Sequence, residues 1–245
     1  MTWSRLRAMN VVTVYLRIYA DALRQALAGI RKNAWTLLLP IVILEANQFA
    51  TALVVGALGR LGSLVVWAVW AAAASCYLYF LGEVVAKSRV RLDEFGRSFG
   101  VYFWSVANLM FVFWIASLLI ELIPRSSFDF GELLKYAALI LLNATPEVIY
   151  QRGSRGGLET IQRSVQFLQE NWIEWGIPNL LILAGFYFLP PSPLAMFGTL
   201  GQLLTPVVEG ALLHLVMVFR GHLFAALAGT SHRQRMYRWR SSGAA

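Results

Sequence analysis

The sequence predicts an all-α integral membrane protein with six transmembrane helices, arranged as three repeats of an amphipathic interfacial helix followed by a helical hairpin. Three observations lead to this prediction: the composition, a short motif that occurs three times, and the positions of the cations. Of the 245 residues, 58% are hydrophobic and only 14% are charged, and the mean hydropathy is +0.59. Such a chain has too little polar surface to cover a water-soluble domain, so it needs the lipid bilayer as its solvent.

A short motif recurs along the chain with the pattern leucine, acid, any residue, apolar, any residue, arginine, serine, apolar. It stands at positions 92–99 and 158–165, and a weaker copy stands at positions 20–27. Two long apolar stretches follow each copy, and an asparagine and a proline recur at identical offsets after the first and third copies. The residues of this repeat signature are Asp21, Asn33, Pro40, Asp93, Arg97, Glu159, Arg163, Asn171 and Pro178. We interpret each copy as a helix on the membrane surface that precedes a hairpin through the bilayer.

The repeats divide the chain into three regions. Residues 1–33 form an N-terminal cytoplasmic segment that contains the first amphipathic helix, residues 34–228 form the six-helix transmembrane domain, and residues 229–245 form a basic cytoplasmic tail. A stretch of roughly 20 mainly apolar residues is long enough to cross a bilayer as a helix. The predicted spans are 35–57, 64–85, 99–123, 133–150, 172–189 and 203–227.

Proline and glycine predict where these spans are irregular. Proline lacks the amide proton and clashes with the preceding helical turn, so Pro146 and Pro206 predict kinks. Gly198 and Gly201, together with Pro206, predict a partly re-entrant segment before the sixth span.

The first amphipathic helix, at positions 11–32, has an apolar face and a basic face. The apolar face is formed by residues at three- and four-residue steps: Val12, Tyr15, Tyr19, Leu23, Leu27 and Ile30. The opposite face carries Arg17, Asp21, Arg24 and Arg31. A helix of this kind lies in the headgroup region of the bilayer or packs on the cytoplasmic side of the protein, and the two placements are compatible. In the third copy, Glu159 and Arg163 have the spacing of an ion pair one turn apart.

The positions of the cations predict the topology. With both termini in the cytoplasm, 18 of the 21 lysines and arginines lie in cytoplasmic segments, and only Arg60, Arg125 and Lys135 lie on the other side. Cytoplasmic loops of membrane proteins carry such an excess of positive charge. We therefore predict a multi-pass protein of the bacterial cytoplasmic (inner) membrane. The basic tail beside the last span predicts contact with anionic lipids and not with nucleic acid.

Polar residues within the predicted spans are the candidates for a functional site. A charged residue at mid-depth costs about 2.5 kcal/mol or more on insertion, so it needs an explanation. The candidate polar interior consists of Glu45, Asn47 and Gln48 in span 1 and Glu209 and His214 in span 6. Either Glu45 and Glu209 face a shared polar interior on a proton or substrate path, or they pair with polar groups of neighbouring helices and hold the bundle together.

The sequence predicts no catalytic, cofactor or metal site. On a straight helix, Glu209 and His214 point about 140° apart, so they share no face. The chain has a single cysteine, Cys76, and it contains no His-Glu-x-x-His motif, nucleophile elbow, phosphate-binding loop or dinucleotide fingerprint.

Segments 30–35, 145–147 and 159–172, together with Pro40, resemble a broad set of bacterial six-span proteins. These are the YciC-like family and the membrane domain of some glycerophosphodiester phosphodiesterases. The resemblance covers most of residues 20–228 and implies an inner-membrane protein built from repeated amphipathic helices and hairpins. It implies no catalytic residue, and the soluble diesterase domain is absent from this sequence.

Three functions are consistent with these patterns. The first is a non-enzymatic inner-membrane protein that binds lipid or another membrane protein, or forms a homo-oligomer, as an accessory or assembly factor. The second is the permease subunit of an ABC-type exporter, in which the second cytoplasmic linker docks on an ATPase subunit. The third is an intramembrane enzyme that modifies lipid or isoprenoid groups, which requires Glu45, Asn47, Glu209 and His214 to converge at one depth.

Overall fold

The computed structural model describes residues 3–59, 62–87, 89–121, 130–154, 156–188, 197–230 and 234, and these residues form helices with short connections and no strand. The helices are α1 Trp3–Lys32, α2 Leu39–Leu58, α3 Gly62–Ala86, α4 Phe95–Val101, α5 Phe103–Glu121, α6 Phe130–Leu141, α7 Thr145–Glu147, α8 Gly157–Phe188 and α9 Gly198–Ala228. A 3-10 turn, Ala34–Leu38, precedes α2, and a π turn, Val148–Arg152, follows α7. Most of the basic tail lies outside the described residues.

Four helical segments are long and apolar enough to cross a membrane: Ala34–Leu58, Gly62–Ala86, Phe103–Ile120 and Gly198–Ala228. Their mean hydropathies lie between 1.7 and 2.0. They coincide with the first, second, third and sixth predicted spans and confirm the membrane class of the protein. The predicted spans 133–150 and 172–189 are not among them. The first of these is interrupted by a turn at residues 142–144, and the second lies on the C-terminal half of α8.

Helix α1 packs along the C-terminal half of α9 through small and branched residues at four-residue steps. Its buried residues are Val14, Ile18, Ala22, Ala26 and Ile30. This face differs from the predicted apolar stripe, because Val12, Leu23 and Leu27 of that stripe are exposed. Small residues bring two helices close together, whereas lipid solvates a leucine as well as a protein interior does. The exposed leucines of α1, Leu16, Leu23 and Leu27, therefore point away from the bundle.

Helix α9 is continuous from Gly198 to Ala228, so the predicted re-entrant segment before the sixth span is wrong. Pro206 lies inside the helix, and the hydroxyl of Thr205 donates to the carbonyl oxygen of Gly201 at 2.8 Å. A proline is tolerated in a membrane helix where side chains and neighbouring helices satisfy the freed backbone groups.

Helix α8 is divided by a break at Asn171, whose φ of −134° and ψ of 26° are not helical. Its N-terminal half packs against α5 so closely that Gly157 lies next to the backbone of Asn108. Its C-terminal half begins beside an aromatic cluster in which Phe167 lies 5.3 Å from Trp175 and 4.3 Å from Phe224, measured between ring centroids. The buried core forms two clusters: one surrounds α3 and includes residues of α1, α5 and α9, and the other lies where α1, α8 and α9 meet.

Candidate functional site

A groove of about 280 Å³ lies between α2, α3 and α9 and opens onto the outer surface of the bundle. We call it the acidic groove, because two acids, Glu45 and Glu209, are among its otherwise mostly apolar lining residues. Each of the three helices is one of the segments able to cross a membrane. The groove is therefore a lateral opening whose two acids come from different helices.

The two acids lie next to the point where α2 and α9 touch. A Cβ atom added to Gly210 would lie 2.5 Å from Cγ1 of Ile41, so only a glycine permits this approach without a shift. Glu209 directly precedes Gly210, and Glu45 follows Ile41 by one helical turn. The close approach of the two helices therefore brings both acids to the same groove, as one of the two hypotheses for these residues requires.

Neither acid has a counter-charge within its surroundings. Glu45 and Glu209 are exposed, and neither forms a hydrogen bond or an ion pair with another described residue. The sequence contains no lysine or arginine at positions 34–59, 62–86 or 197–219, which include all the lining of the groove. An ionised acid facing lipid is costly, about 2.5 kcal/mol or more at mid-depth.

The other residues of the predicted polar interior do not line the groove. Asn47 is 2% exposed, and both atoms of its amide lack a hydrogen-bond partner among the described residues. Gln48 is exposed. His214 is fully buried, and its Nδ1 lies within hydrogen-bond distance of the hydroxyl of Tyr77, which lines the groove. The structure thus brings together two of the five predicted residues and places the other three elsewhere.

His214 belongs to a buried chain of hydrogen bonds that joins α9, α3 and the turn before α2. Its Nε2 lies 3.0 Å from Oγ1 of Thr36, and its Nδ1 lies 3.3 Å from the hydroxyl of Tyr77. The hydroxyl of Thr36 already donates to the carbonyl oxygen of Asn33 at 2.7 Å, so its oxygen can only accept. Nε2 of His214 therefore donates to Thr36, and Nδ1 accepts from Tyr77. Sequence reasoning missed Thr36 and Tyr77, since neither interrupts an apolar pattern.

A buried ion pair joins Glu147 of α7 to Arg220 of α9. The guanidinium donates from Nε to Oε1 at 2.9 Å and from Nη2 to Oε2 at 3.0 Å, and Nη2 also donates to the carbonyl oxygen of Asn143. Glu147 is fully buried, and the guanidinium lies 5.1 Å from the ring centroid of Trp175. The sequence placed Glu147 near a span end and Arg220 in the cytoplasm, and no local spacing links the two residues.

The acids of the repeat signature form local ion pairs at the surface. Glu159 accepts from Arg163 at 2.7 Å, which confirms the predicted pair. Asp21 lies 3.4 Å from Arg24, and Asp93 pairs with Arg91 at 2.7 Å in place of Arg97. Exposed pairs of this kind contribute about 0–1 kcal/mol each. These surface ion pairs therefore contribute little to stability.

The serine position of the motif is buried in all three copies. Ala26, Ser98 and Ser164, which occupy the serine position, are each 0% exposed. The hydroxyl of Ser98 donates to the carbonyl oxygen of Phe95 at 2.6 Å, and Ser164 lies 3.4 Å from the hydroxyl of Thr145. The motif thus places a small residue where each helix contacts the bundle.

No group of three or more His, Cys, Asp or Glu side chains with metal-site geometry occurs within the part of the chain that the structure describes. Comparisons with models of protein families, with curated proteins and with solved structures find no match for this chain.

Proposed function

We propose that this protein is a non-enzymatic, multi-pass inner-membrane protein that binds a lipid-like molecule of the bilayer in the acidic groove. The groove itself is the observation that carries the proposal: it is lateral, mostly apolar and formed by three helices able to cross a membrane. Ligand sites are concave and mainly apolar, with a few polar groups that orient the ligand. Glu45, Glu209 and the hydroxyl of Tyr77 supply those groups here.

The arrangement of His214 favours binding over catalysis. An intramembrane enzyme of the kind described above needs this imidazole to act together with the acids of the groove. Both of its ring nitrogens are engaged, one by Thr36 and one by Tyr77, and the side chain is fully buried. A histidine held in this way orients Tyr77 at the wall of the groove and is not free to exchange a proton with a ligand.

Photo-crosslinking tests whether the groove is a binding site. The protein is placed in phosphatidylcholine nanodiscs with a diazirine-bearing fatty alcohol, a neutral single-chain probe, and the labelled peptides are identified. Leu213→Trp fills the groove. Leu212→Trp is the matched control, because Leu212 is 44% exposed and Leu213 is 43% exposed, but only Leu213 lines the groove.

We expect labelling on α2, α3 and α9 beside the groove, and a loss of at least about tenfold in Leu213→Trp, since a misplaced bulky side chain costs about 1–3 kcal/mol. The control should label as the unaltered protein does. Equal labelling of the two variants, or labelling spread evenly over all lipid-facing helices, would refute the proposed function.

We further propose that the protein has six spans in three repeats, as the YciC-like resemblance implies, and that both termini are cytoplasmic, as the positions of the cations indicate. Support comes from the shared conformation of Asn33 and Asn171 and from the buried small residue in each copy of the motif. Cysteine labelling in a Cys76→Ala background tests this topology. We expect cysteines replacing Arg60 and Arg125 to react in intact cells, and one replacing Arg91 to react only after permeabilisation. Reaction of all three in intact cells would contradict the topology.

A further inference from the structure

We propose that the molecule bound in the acidic groove is a cationic amphiphile, with an amine or quaternary ammonium head on an apolar chain; this inference rests on the proposed function. It concerns the class of the ligand and follows from the charges around the groove. Two exposed acids, Glu45 and Glu209, line one groove, and neither forms a hydrogen bond or an ion pair with another described residue.

The three helices that form the groove supply no positive charge to it. No lysine or arginine stands at positions 34–59, 62–86 or 197–219 of the three helices that form it. In the interior of the same bundle, the carboxylate of Glu147 accepts two hydrogen bonds from the guanidinium of Arg220. Glu45 and Glu209 differ from Glu147 because no described residue pairs with them, so the groove suits a ligand that carries the counter-charge itself.

The rest of the groove determines what kind of cation fits. Apart from the acids, its surface is formed by aliphatic and aromatic groups such as Leu44, Trp70 and Leu213. A hydrated inorganic ion gains nothing from such a surface, and the described residues supply no third acid, histidine or cysteine for a metal. A chain of methylene groups gains about 0.8 kcal/mol for each one buried. An ammonium at one end of such a chain places its charge beside the two acids, and Trp70 offers an aromatic face as well.

A competition experiment with the same nanodiscs and the same neutral probe tests this class. Dodecyltrimethylammonium, which is permanently charged, and dodecanol, its neutral counterpart, are titrated against the crosslinking of the diazirine probe. Phosphatidylcholine has no net charge, so the bilayer surface does not itself attract the cation. The variants are Glu45→Gln, Glu209→Gln and the double variant, and Glu170→Gln is the matched control, because it removes an exposed acid outside the groove.

In the unaltered protein and in Glu170→Gln, we expect the ammonium compound to displace the probe at a concentration at least about tenfold lower than dodecanol, as one effective charge pair provides. In the double variant the two competitors should be equally potent, and each single variant should lie in between. Dodecanol should be equally potent against all five proteins, which shows that the groove remains intact. The single variants provide the comparison if the double variant fails to elute as a monodisperse species.

The possible failures are distinct. If the probe is displaced by dodecanol and blocked by Leu213→Trp, but charge makes no difference, the ligand class is refuted and the proposed binding function stands. The same conclusion follows if the double variant keeps the preference for the cation. If the two leucine variants label equally, the groove is not a binding site and both proposals are refuted. Elution of the protein as a dimer, with no probe on the peptides that contain Glu45 and Glu209, would identify a second copy as the occupant and would also refute the ligand class.

Discussion

Asn33 and Asn171 end one helical segment and begin the next in the same way. The side-chain amide of each donates to the carbonyl oxygen four residues earlier, at 2.9 Å for Gly29 and 3.0 Å for Phe167. The backbone angles also agree, with φ −130° and ψ 44° at Asn33 and φ −134° and ψ 26° at Asn171. Carbonyl groups at a helix end lack a backbone donor. The asparagine amide supplies one, so the chain can change direction without leaving that carbonyl unpaired.

Replacing Asn33 by alanine should destabilise the protein. Its Oδ1 accepts the backbone amide of Val90 at 2.9 Å and so holds the second linker against the end of α1. The substitution leaves a buried donor without a partner, which costs about 1–3 kcal/mol. Cys76 provides the measurement, because the single cysteine is fully buried and reacts with a thiol-sensitive dye only on unfolding. Lys32→Ala, at an exposed neighbouring position, is the control. Equal midpoints for the two variants would show that Asn33 has no stabilising role.

The contact between α5 and α8 should depend on Gly157. A Cβ atom at this position would lie 2.5 Å from the backbone oxygen of Asn108 and 2.8 Å from its carbonyl carbon, and backbone atoms cannot move aside cheaply. We expect Gly157→Ala to lower the stability by about 1–3 kcal/mol, the usual cost of overpacking. Gly156→Ala is the control, since nothing lies within 4 Å of its Cβ position. Thermal unfolding followed by Cys76 reactivity compares the two, and a neutral Gly157→Ala would contradict the packing of these helices.

Features that depend only on neighbouring positions in the chain, such as long apolar helices and ion pairs within one helix, were predictable from the sequence. Long apolar segments identified four helices able to cross a membrane, because bilayer thickness sets their length directly. The pair of Glu159 with Arg163 was predictable because helical spacing alone brings the two side chains together. The offset between the motif and Asn33 or Asn171 was visible as well, although its physical role, a side-chain amide bonded to the preceding turn, required coordinates.

Contacts between distant helices were not predictable from one sequence. Two such contacts are the ion pair of Glu147 with Arg220 and the hydrogen bonds of His214 with Thr36 and Tyr77. Both depend on how the helices pack, and the spacing of residues along the chain does not indicate them. The buried face of α1 was misjudged for a related reason. In water the largest apolar residues are buried, whereas in a membrane lipid also solvates them. The small residues Ala22 and Ala26, which allow close approach to α9, therefore mark the packed face.

The hydrogen bond between Thr36 and His214 can be tested with a substitution that keeps the shape of the side chain. Thr36→Val removes the acceptor of the Nε2 proton in a fully buried place, and we expect a loss of about 1–3 kcal/mol. Thr51→Val in the same span is the matched control, because its buried hydroxyl has no hydrogen-bond partner among the described residues. That change should be neutral or stabilising. A destabilised Thr51→Val together with a neutral Thr36→Val would contradict the assigned network.

The ion pair of Glu147 and Arg220 predicts a strongly non-additive pair of substitutions. Arg220→Met leaves a buried carboxylate without a counter-charge, and Glu147→Leu leaves a buried guanidinium in the same position, so each single change should cost about 3–5 kcal/mol. The double variant removes both charges and fills the space with apolar groups, which should recover most of that loss. Thermal unfolding of the three variants measures the coupling. Losses that simply add would show that the two side chains act independently.

Replacing Arg220 by lysine distinguishes the stabilising effect of the positive charge from that of the bidentate geometry. Arg220→Lys keeps the positive charge but cannot bind both carboxylate oxygens and the carbonyl oxygen of Asn143 in one plane. We expect its unfolding midpoint to lie between those of the unaltered protein and Arg220→Met. A midpoint equal to that of the unaltered protein would mean that charge alone stabilises this contact.

Tyr19 should make the stability of the protein sensitive to alkaline pH. Burial, with a smaller contribution from the nearby carboxylate of Glu174, raises the pKa of its phenol from 10.0 to about 12. The hydroxyl donates to the backbone oxygen of Glu174 at 3.0 Å and thereby joins α1 to α8. Because the folded protein holds this proton more tightly than the unfolded chain, the stabilisation is complete below pH 10 and is lost as the pH rises towards 12.

Tyr19→Phe should therefore be less stable than the unaltered protein at neutral pH and should lose less stability between pH 10 and 12. Thermal unfolding followed by far-UV circular dichroism measures this loss, since the reactivity of Cys76 itself varies with pH. Tyr136→Phe, which changes an exposed tyrosine of α6, controls for the general effect of alkali and should keep the pH dependence of the unaltered protein. If Tyr19→Phe and Tyr136→Phe lose stability in parallel over this range, the hydrogen bond from Tyr19 does not hold α1 against α8.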